Sequence, residues 1–301
     1  AFFFFGFEIA RQSIDEGSFL GYTPTPRQRR GLFNDYLAGQ HLNQPTVVNI
    51  PRGFPGAGTP APNNDLSPYI DPIGQALLNL YPLPNYNDPN NRYNYISTQL
   101  RDENRNQFVL RGDYNVTDST RTYVRLARDK DDRTKLRGMW WNSSGVELPS
   151  PIADTSLGRS AVGNVSTVLS PTSTNEIIFT WSELKNDNRW DDPSRAQLAT
   201  YGISGLQNPF GASEFLPQIV VNNFNTEGSL WTANDVDDIF SYNGFMRVAD
   251  SYTKLLGSHA LKAGAMVERQ YKKQNFQNTA NIQLNYAPWG NGSTGSDYGD
   301  V

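Results

Sequence analysis

Seven stretches of the chain alternate apolar and polar residues with a period of two, the pattern of β-strands whose two faces meet different surroundings. The clearest covers residues 107–116, where Phe108 and Leu110 fall on one face and Arg111 and Asp113 on the other. The seven predicted strands are residues 2–10, 107–116, 121–128, 160–169, 174–183, 245–255 and 260–271. The sequence therefore predicts an all-β chain.

The connections between these strands alternate between tight turns and long loops. The predicted tight turns are residues 117–120, 170–173 and 256–259. The predicted long connections are residues 11–106, 129–159 and 184–244, with another beginning near residue 272. Compact soluble domains rarely contain structureless connections longer than about 15 residues. Outer-membrane barrels have short periplasmic turns and long extracellular loops, and tilted strands of about ten residues cross their membrane.

The pattern therefore favours a partial antiparallel transmembrane β-barrel, with about seven strands of a larger barrel. A half-exposed sheet of a soluble protein shows the same alternation, so alternation alone leaves both readings open. Loop asymmetry, strand length and aromatic residues near strand ends favour the barrel. Those aromatic residues are Tyr114, Tyr123, Trp181, Tyr252 and Tyr271. The predicted location is the bacterial outer membrane, with its lipid as a partner.

A barrel wall assigns each strand face to lipid or to the lumen. The residues expected to face the lumen are Arg111, Asp113, Arg125, Glu176 and Glu268. The residues expected to face lipid are Phe108, Leu110, Val124, Phe179 and Val267. A charge facing the lumen meets water, whereas a charge facing lipid at mid-bilayer costs about 2–4 kcal/mol.

One short helix is predicted inside the first long loop. Asp71 is suited to the N-cap, and Pro72 to the first helical position, where its missing N–H costs nothing. Its apolar face comprises Ile73, Ala76, Leu77 and Leu80. The helix is expected to end at Pro82 and to pack the loop over the barrel mouth.

Composition narrows the possible chemistry. The 301 residues contain 26 Lys and Arg against 30 Asp and Glu, a net charge of −4, so a basic nucleic-acid-binding surface is not expected. Aromatic residues make up 12 %, which argues against disorder. The chain has no Cys and only two histidines, His41 and His259, so neither thiolate chemistry nor a His-rich metal site is expected. The apolar start without Met and the Gly- and Ser-rich end suggest a fragment of a longer protein.

The remaining candidate chemistry is weak. Acidic clusters near residues 129–132, 187–192 and 235–238 could bind Ca²⁺, but none has the spacing of a twelve-residue calcium loop. Tryptophans predicted in loops could stack on a sugar or pack between loops; they are Trp140, Trp141, Trp190, Trp231 and Trp289. Neither histidine has a recognisable triad partner, although paired carboxylates for glycoside hydrolysis stay open. We predict no enzyme activity, no cofactor and no metal, and the sequence assigns no substrate-binding residue.

Several segments resemble the TonB-dependent outer-membrane receptors of the Oar-like type, an acidobacterial group with a carboxypeptidase-regulatory-like domain upstream. The most specific is residues 71–85 (DPIGQALLNLYPLPN), similar to the family's "YPLPN" signature. Residues 22–33 (YTPTPRQRRGLF) resemble its "TVPT…R-x-GDF" loop, with Leu32 in place of the usual Asp. Weaker similarities lie in residues 2–8 (FFFFGFE), 111–115 (RGDYN), 170–176 (SPTSTNE) and 257–264 (GSHALKAG).

The resemblance implies that residues 1–301 are an incomplete barrel domain from the N-terminal part of a barrel of about 22 strands. It also implies a plug domain, absent from this chain, and TonB, which relays energy to import an extracellular substrate. Siderophore, oligosaccharide and peptide substrates stay open. The alternatives are a secreted soluble β-protein that binds glycans through its loop tryptophans, and a structural or adhesive envelope barrel.

Overall fold

A computed structural model of the protein describes residues 1–34, 47–89, 93–136, 149–206, 215–216, 218–221, 239–275 and 283–286. Seven long strands form one antiparallel sheet in the order β1-β2-β3-β4-β5-β7-β8. They are β1 (Phe2–Gly21), β2 (Tyr95–Asn115), β3 (Thr120–Lys135), β4 (Ile152–Ser170), β5 (Ser173–Trp190), β7 (Ile239–Leu256) and β8 (His259–Asn275). A second, two-stranded sheet pairs β6 (Gln218–Val221) with β9 (Gln283–Tyr286) in parallel. The large sheet is open, which confirms the predicted all-β class and partial barrel.

Each predicted strand overlaps one long strand of the sheet, and three tight turns join consecutive strands at residues 116–119, 171–172 and 257–258. The two-residue turn after β7 places Gly257 at a φ of 61°. Residues with a Cβ rarely adopt this left-handed backbone conformation, so glycine suits the position. The tight turns thus lie at one end of the sheet, as the sequence predicts.

The strands extend much further from these turns than the sequence predicts. The loops therefore shrink to residues 22–94, 136–151 and 191–238, and the predicted loop boundaries are wrong on that side. The charged stretch at residues 129–135 shows the reason. It reads as a loop, yet Asp129 pairs with Gln107 and Gly158 inside the sheet. Both faces are polar there, so the period-two signal disappears although the backbone pairing continues.

The first loop folds into a small unit with its own core. It contains α1 (Pro72–Leu78) and three 3-10 helices, Gln28–Arg30, Pro62–Asn64 and Ser67–Tyr69. Two further 3-10 helices, Pro193–Ala196 and Leu198–Tyr201, follow β5. Ile203 and Leu216 share the core of the first loop. We call residues 22–34, 47–89 and 198–206 with Leu216 the loop module.

Helix α1 begins as predicted. The Asp71 carboxylate accepts hydrogen bonds from the backbone N–H groups of Ile73 at 2.7 Å and Gly74 at 3.1 Å. The helix ends at Leu78, earlier than the predicted stop at Pro82. Leu77 is buried in the core of the loop module, with Ile73, Ala76 and Leu80 packed against it. The predicted apolar face therefore packs inside the loop module.

Candidate functional site: the membrane wall and the loop module

One face of the large sheet carries large apolar side chains with nothing packed over them among the described residues. Phe3 is 79 % exposed, Val124 53 % and Val267 76 %. A sheet of a soluble protein buries its apolar face against a second layer. Hydrocarbon can take that place for an outward barrel face, because the paired strands leave no backbone polar group exposed to it.

The register supports the predicted division of the two faces. Directly paired residues of antiparallel strands point to the same side of a sheet. One row of partners is Gly112, Val124, Gly163, Phe179, Val248 and Val267. Phe108 and Leu110 share the parity of Gly112, so all five residues predicted to face lipid lie on this side.

The opposite side carries the five residues predicted to face the lumen. Arg111 pairs with Arg125, and the same register row continues to Arg247 and Glu268. The Asn164 amide donates to the Glu176 carboxylate at 2.8 Å on this side. Further along each strand, the same side carries ion pairs such as Arg101 with Glu16 at 2.8 Å. Charged groups that bind one another and water suit a lumen surface.

The outer limit of the apolar band differs between the two edge strands of the sheet. On β1 the unbroken run of outward apolar residues ends at Ile9, and the register leads from Ile9 to Lys273 on β8. On β8 the last such residue is Val267, six residues from Lys273. Six strand steps separate β1 from β8, so the difference averages one residue per strand. With about 3.3 Å per residue and about 4.8 Å between strands, the band is inclined by about 35°, within the range of barrel strand tilts.

Aromatic residues border the apolar band on both sides. Tyr252 lies outward near the tight turn of β7, and Tyr242 lies outward ten residues away on the same strand. Ten residues tilted by about 35° span about 27 Å, close to the height of a barrel's lipid-facing band. Tyr114, Trp181 and Tyr271 also face outward, as predicted for interface aromatics. Tyr123 does not: it faces the lumen side, with the Arg111 guanidinium 4.1 Å from its ring centre.

An ion pair marks the outer edge of the band on the outward side. Glu183, only 8 % exposed, binds Arg159 on the adjacent strand. The Tyr271 hydroxyl donates to Glu183 Oε2 at 3.4 Å, and Arg159 Nη2 donates to the Tyr242 hydroxyl at 3.2 Å. Gly244 makes room for this arrangement, because a Cβ there would lie 2.4 Å from the Tyr271 ring. Pairing and hydrogen bonding reduce the cost of charge beside lipid.

Beyond this edge the wall continues with charges on both faces. On β3, Lys130 and Asp132 face outward and form an ion pair at 2.6 Å, while Asp129 and Asp131 face the lumen side. The strands therefore project past the lipid. The acidic cluster at 129–132 lies in a strand, where alternate carboxylates point to opposite faces and cannot converge on one Ca²⁺ ion.

The other two acidic clusters considered for Ca²⁺ are residues 187–192 and residues 235–238. Asp187 lies in β5 and forms ion pairs with Lys185 and Arg189. Asp192 accepts hydrogen bonds from Ser194, which lower the pKa of its carboxyl group. Residues 235–238 lie outside the described residues. Within the described residues, no group of three or more His, Cys, Asp or Glu side chains is placed to hold a metal ion.

The predicted loop tryptophans do not form an exposed stacking surface in the described part of the chain. Trp190 ends β5, pairs with Ile152 and is 5 % exposed, so its prediction as an exposed loop residue is wrong. The other predicted loop tryptophans, Trp140, Trp141, Trp231 and Trp289, lie outside the described residues.

A buried arginine holds the loop module together. The Arg29 guanidinium donates to the backbone oxygens of Pro24 at 3.0 Å, Leu78 at 2.9 Å, Tyr81 at 3.0 Å and Pro82 at 2.8 Å. Residues 22–33 and 71–85, the two segments with the strongest resemblance to receptors, therefore contact each other directly. No pattern in the sequence distinguishes Arg29 from its neighbours. Gly31 allows the backbone to pass close to Ser67, because a Cβ at residue 31 would lie 2.7 Å from the Ser67 backbone nitrogen. Its φ of 76° also favours glycine.

The loop module also forms a half-open cavity of about 200 Å³ beside α1 and the 3-10 helix Gln28–Arg30. Its described wall is mostly apolar, with polar groups from Gln28, Arg29, Asp71 and Gln75. A cavity with few polar groups in an apolar wall is typical of a site for a small ligand or for part of a larger one. No sequence pattern marks the residues of this cavity as a binding site.

Comparison with known proteins agrees with this geometry. A family model described as an outer membrane beta barrel domain matches residues 1–300. No curated protein and no solved structure matches the chain. Among the described residues, no helix has the length and apolar character needed to span a membrane. The chain belongs to the outer membrane beta barrel domain family, and its seven-stranded sheet is part of the wall of a bacterial outer-membrane protein.

Proposed function

We propose that the chain is part of a TonB-dependent outer-membrane receptor of the Oar-like type, which binds an extracellular substrate and imports it with energy relayed by TonB. The observation that carries the proposal is the folded loop module beyond the membrane wall. In it, the two segments with the strongest receptor resemblance are joined by Arg29. A loop with its own core presents a fixed surface, which reduces the ordering cost of binding a substrate.

The wall supports the same proposal. Its strands project past the lipid with charges on both faces, so the wall continues outward from the membrane as a polar surface. The lumen side is lined by pairs such as Arg111 with Asp113 at 2.7 Å and Arg105 with Asp129 at 2.9 Å. A plug domain could bind to such a surface, because its polar groups can exchange water for protein partners without burying an unpaired charge.

The test is made on the protein encoded by the complete reading frame. We expect a plug-like domain upstream of this chain, preceded by a short TonB-binding segment. Purified full-length protein should bind the periplasmic domain of TonB in a surface-immobilised binding assay. The matched control lacks only the segment before the plug and should lose binding while keeping its barrel. A complete reading frame without a plug domain would remove the energised-transport proposal.

A structural or adhesive envelope barrel is the second candidate, and the same reading frame distinguishes it from a transporter. The soluble glycan-binding alternative loses its basis, because the apolar face is uncovered in the described sheet and the family is an outer-membrane one. The absence of enzyme activity and of cofactors stays a prediction. Siderophore, oligosaccharide and peptide all stay possible as classes of substrate.

A further inference from the structure

Three basic residues lie side by side on the outward face of the sheet, where the apolar band ends on the side of the long loops. Arg128 of β3 is the register partner of Arg159 of β4, and Lys130 follows two residues along the same face. Register partners of antiparallel strands have Cβ atoms about 5 Å apart, and like charges placed directly opposite each other are destabilising. The wall therefore holds two guanidinium groups where their repulsion calls for an anion.

The carboxylates of the outward face neutralise two of these three cations. Lys130 forms its ion pair with Asp132 at 2.6 Å, and Arg159 forms one with Glu183. Arg128 makes no hydrogen bond and no ion pair within the described part of the chain. Its positive charge therefore has no counterion in the described wall.

The arginine pair also has hydrogen-bond donors to spare. Arg159 uses Nε and Nη2 to bind Glu183 and the Tyr242 hydroxyl, and its Nη1 donates to no atom of the described residues. All five N–H donors of Arg128 are available. A phosphate group accepts paired hydrogen bonds from arginine, and its negative charge would remove the repulsion between the two guanidinium groups.

The height of the pair on the wall places it beside lipid headgroups. Arg128 comes directly after Leu126 on the outward face of β3, and its register partner on β2 is the lipid-facing Phe108. On β4, Gly163 lies on the same face as Arg159, four residues toward the tight turns, and a Cβ there would meet open space. An acyl chain therefore has room against the apolar band directly below the two arginines.

The opposite end of the outward face has no comparable pair. Among the described strands, the outward Asp, Glu, Lys and Arg side chains near the tight turns are Asp250 and Lys254, which have opposite charges. Asp250 accepts a hydrogen bond from the Asn175 amide at 2.6 Å, and Lys254 donates to the Thr172 hydroxyl at 2.8 Å. The excess of positive charge is thus confined to the side of the long loops.

We propose that Arg128 and Arg159 form a binding site for the phosphate of a lipid in the outer leaflet of the membrane, with its acyl chains along the apolar band beside Gly163. The long loops of outer-membrane barrels are extracellular, so this end of the band meets the outer leaflet. A phosphorylated headgroup supplies the missing negative charge, and the apolar band favours a lipid over a free anion. The site belongs to the wall itself and does not rest on TonB-dependent transport.

The experiment measures the binding of diphosphoryl lipid A to the full-length protein in a neutral detergent by native mass spectrometry. The comparison lipid is the same lipid A without its two phosphates. We expect the phosphorylated lipid to bind about tenfold more tightly, because it alone offers charged acceptors to the arginine pair. Millimolar inorganic phosphate should not displace it, because a free anion makes no contact with the apolar band.

Two variants complete the test. Arg128→Gln removes the cation that has no protein counterion, and it should reduce the affinity for diphosphoryl lipid A about tenfold. The matched control is Arg125→Gln, three residues earlier on β3, which removes the same charge from an exposed position on the lumen side. It should leave the affinity unchanged. A heat-dependent shift of the folded band on a gel, equal in all three proteins, would show that each variant is folded.

Equal affinities of the two lipids would overturn the phosphate site, and so would equal losses in Arg128→Gln and Arg125→Gln. Displacement of the lipid by inorganic phosphate would overturn the lipid assignment and leave a site for a free anion. None of these results depends on a plug domain or on TonB, so failure of the lipid site and failure of the transport proposal are distinguishable.

Discussion

An arginine scan of two adjacent residues tests which face of the sheet contacts lipid. Val165 and Ser166 are neighbours on β4, both exposed in the described structure, and they point to opposite faces. Val165 lies within the outward apolar band between Thr122 and Ile177. Ser166 lies on the lumen side between Arg121 and Glu176, so a new cation there meets one like and one opposite charge.

The expected costs differ because only one site excludes water. Arginine on the lipid face costs about 2–4 kcal/mol at mid-bilayer and about 0–1 kcal/mol near the interfaces. Val165 lies two residues inside the register row of Tyr252, which borders the band, so Val165→Arg should cost about 1–2 kcal/mol, a factor of about 5 to 30 in the folding equilibrium. Ser166→Arg should change the free energy of folding by less than about 1 kcal/mol, because the side chain reaches water and Glu176 compensates for Arg121.

The assay uses the complete protein refolded into phospholipid vesicles. Urea titrations followed by tryptophan fluorescence give the folding free energies, and the heat-dependent shift of the folded band on a gel gives the inserted fraction. Equal costs at Val165 and Ser166 would refute the assignment of the apolar face to lipid. A larger cost at Ser166 would reverse the two faces.

Three further predictions concern local features. Arg29→Met should destabilise the loop module by about 2–4 kcal/mol, because buried carbonyl oxygens lose a charged donor. Hydrogen exchange at residues 71–82 should therefore become faster. The control Arg30→Met, at an exposed site, should leave this exchange unchanged. Gly244→Ala should push the Tyr271 ring away from Glu183, and a double-mutant cycle with Tyr271→Ala should show a combined cost below the sum of the single costs. Since the pKa of the Asp192 carboxyl lies below its ordinary value, its bonds to Ser194 stabilise the fold above the unfolded pKa, and this contribution is lost as pH falls through the lowered pKa. Hydrogen exchange at the Ser194 amide should therefore become faster as the pH falls, and Asp192→Asn should remove most of this pH dependence. The same pH dependence in the variant would contradict the role of the Asp192 carboxylate.

The period-two pattern was informative where one face of a strand meets lipid. Val124, Phe179 and Val267 could be assigned to one side from sequence alone, because hydrocarbon and water select opposite residue types. The pattern failed beyond the lipid, as at residues 129–135, where water bathes both faces and no alternation is required. Tyr123 is a strand-end aromatic residue, but its alternation with Arg121 and Arg125 already places it opposite Val124, and on that side it packs on Arg111.

The sequence by itself determined the elements whose causes are local: the alternating strands, the tight turns and the Asp71 cap of α1. Tertiary structure alone decided how distant segments meet. Arg29 binds carbonyl oxygens 49 to 53 residues away, and Gln28 lies in the wall of a cavity shared with α1. Such contacts leave no periodic trace, because they depend on where the backbone folds back and not on the spacing of residue types.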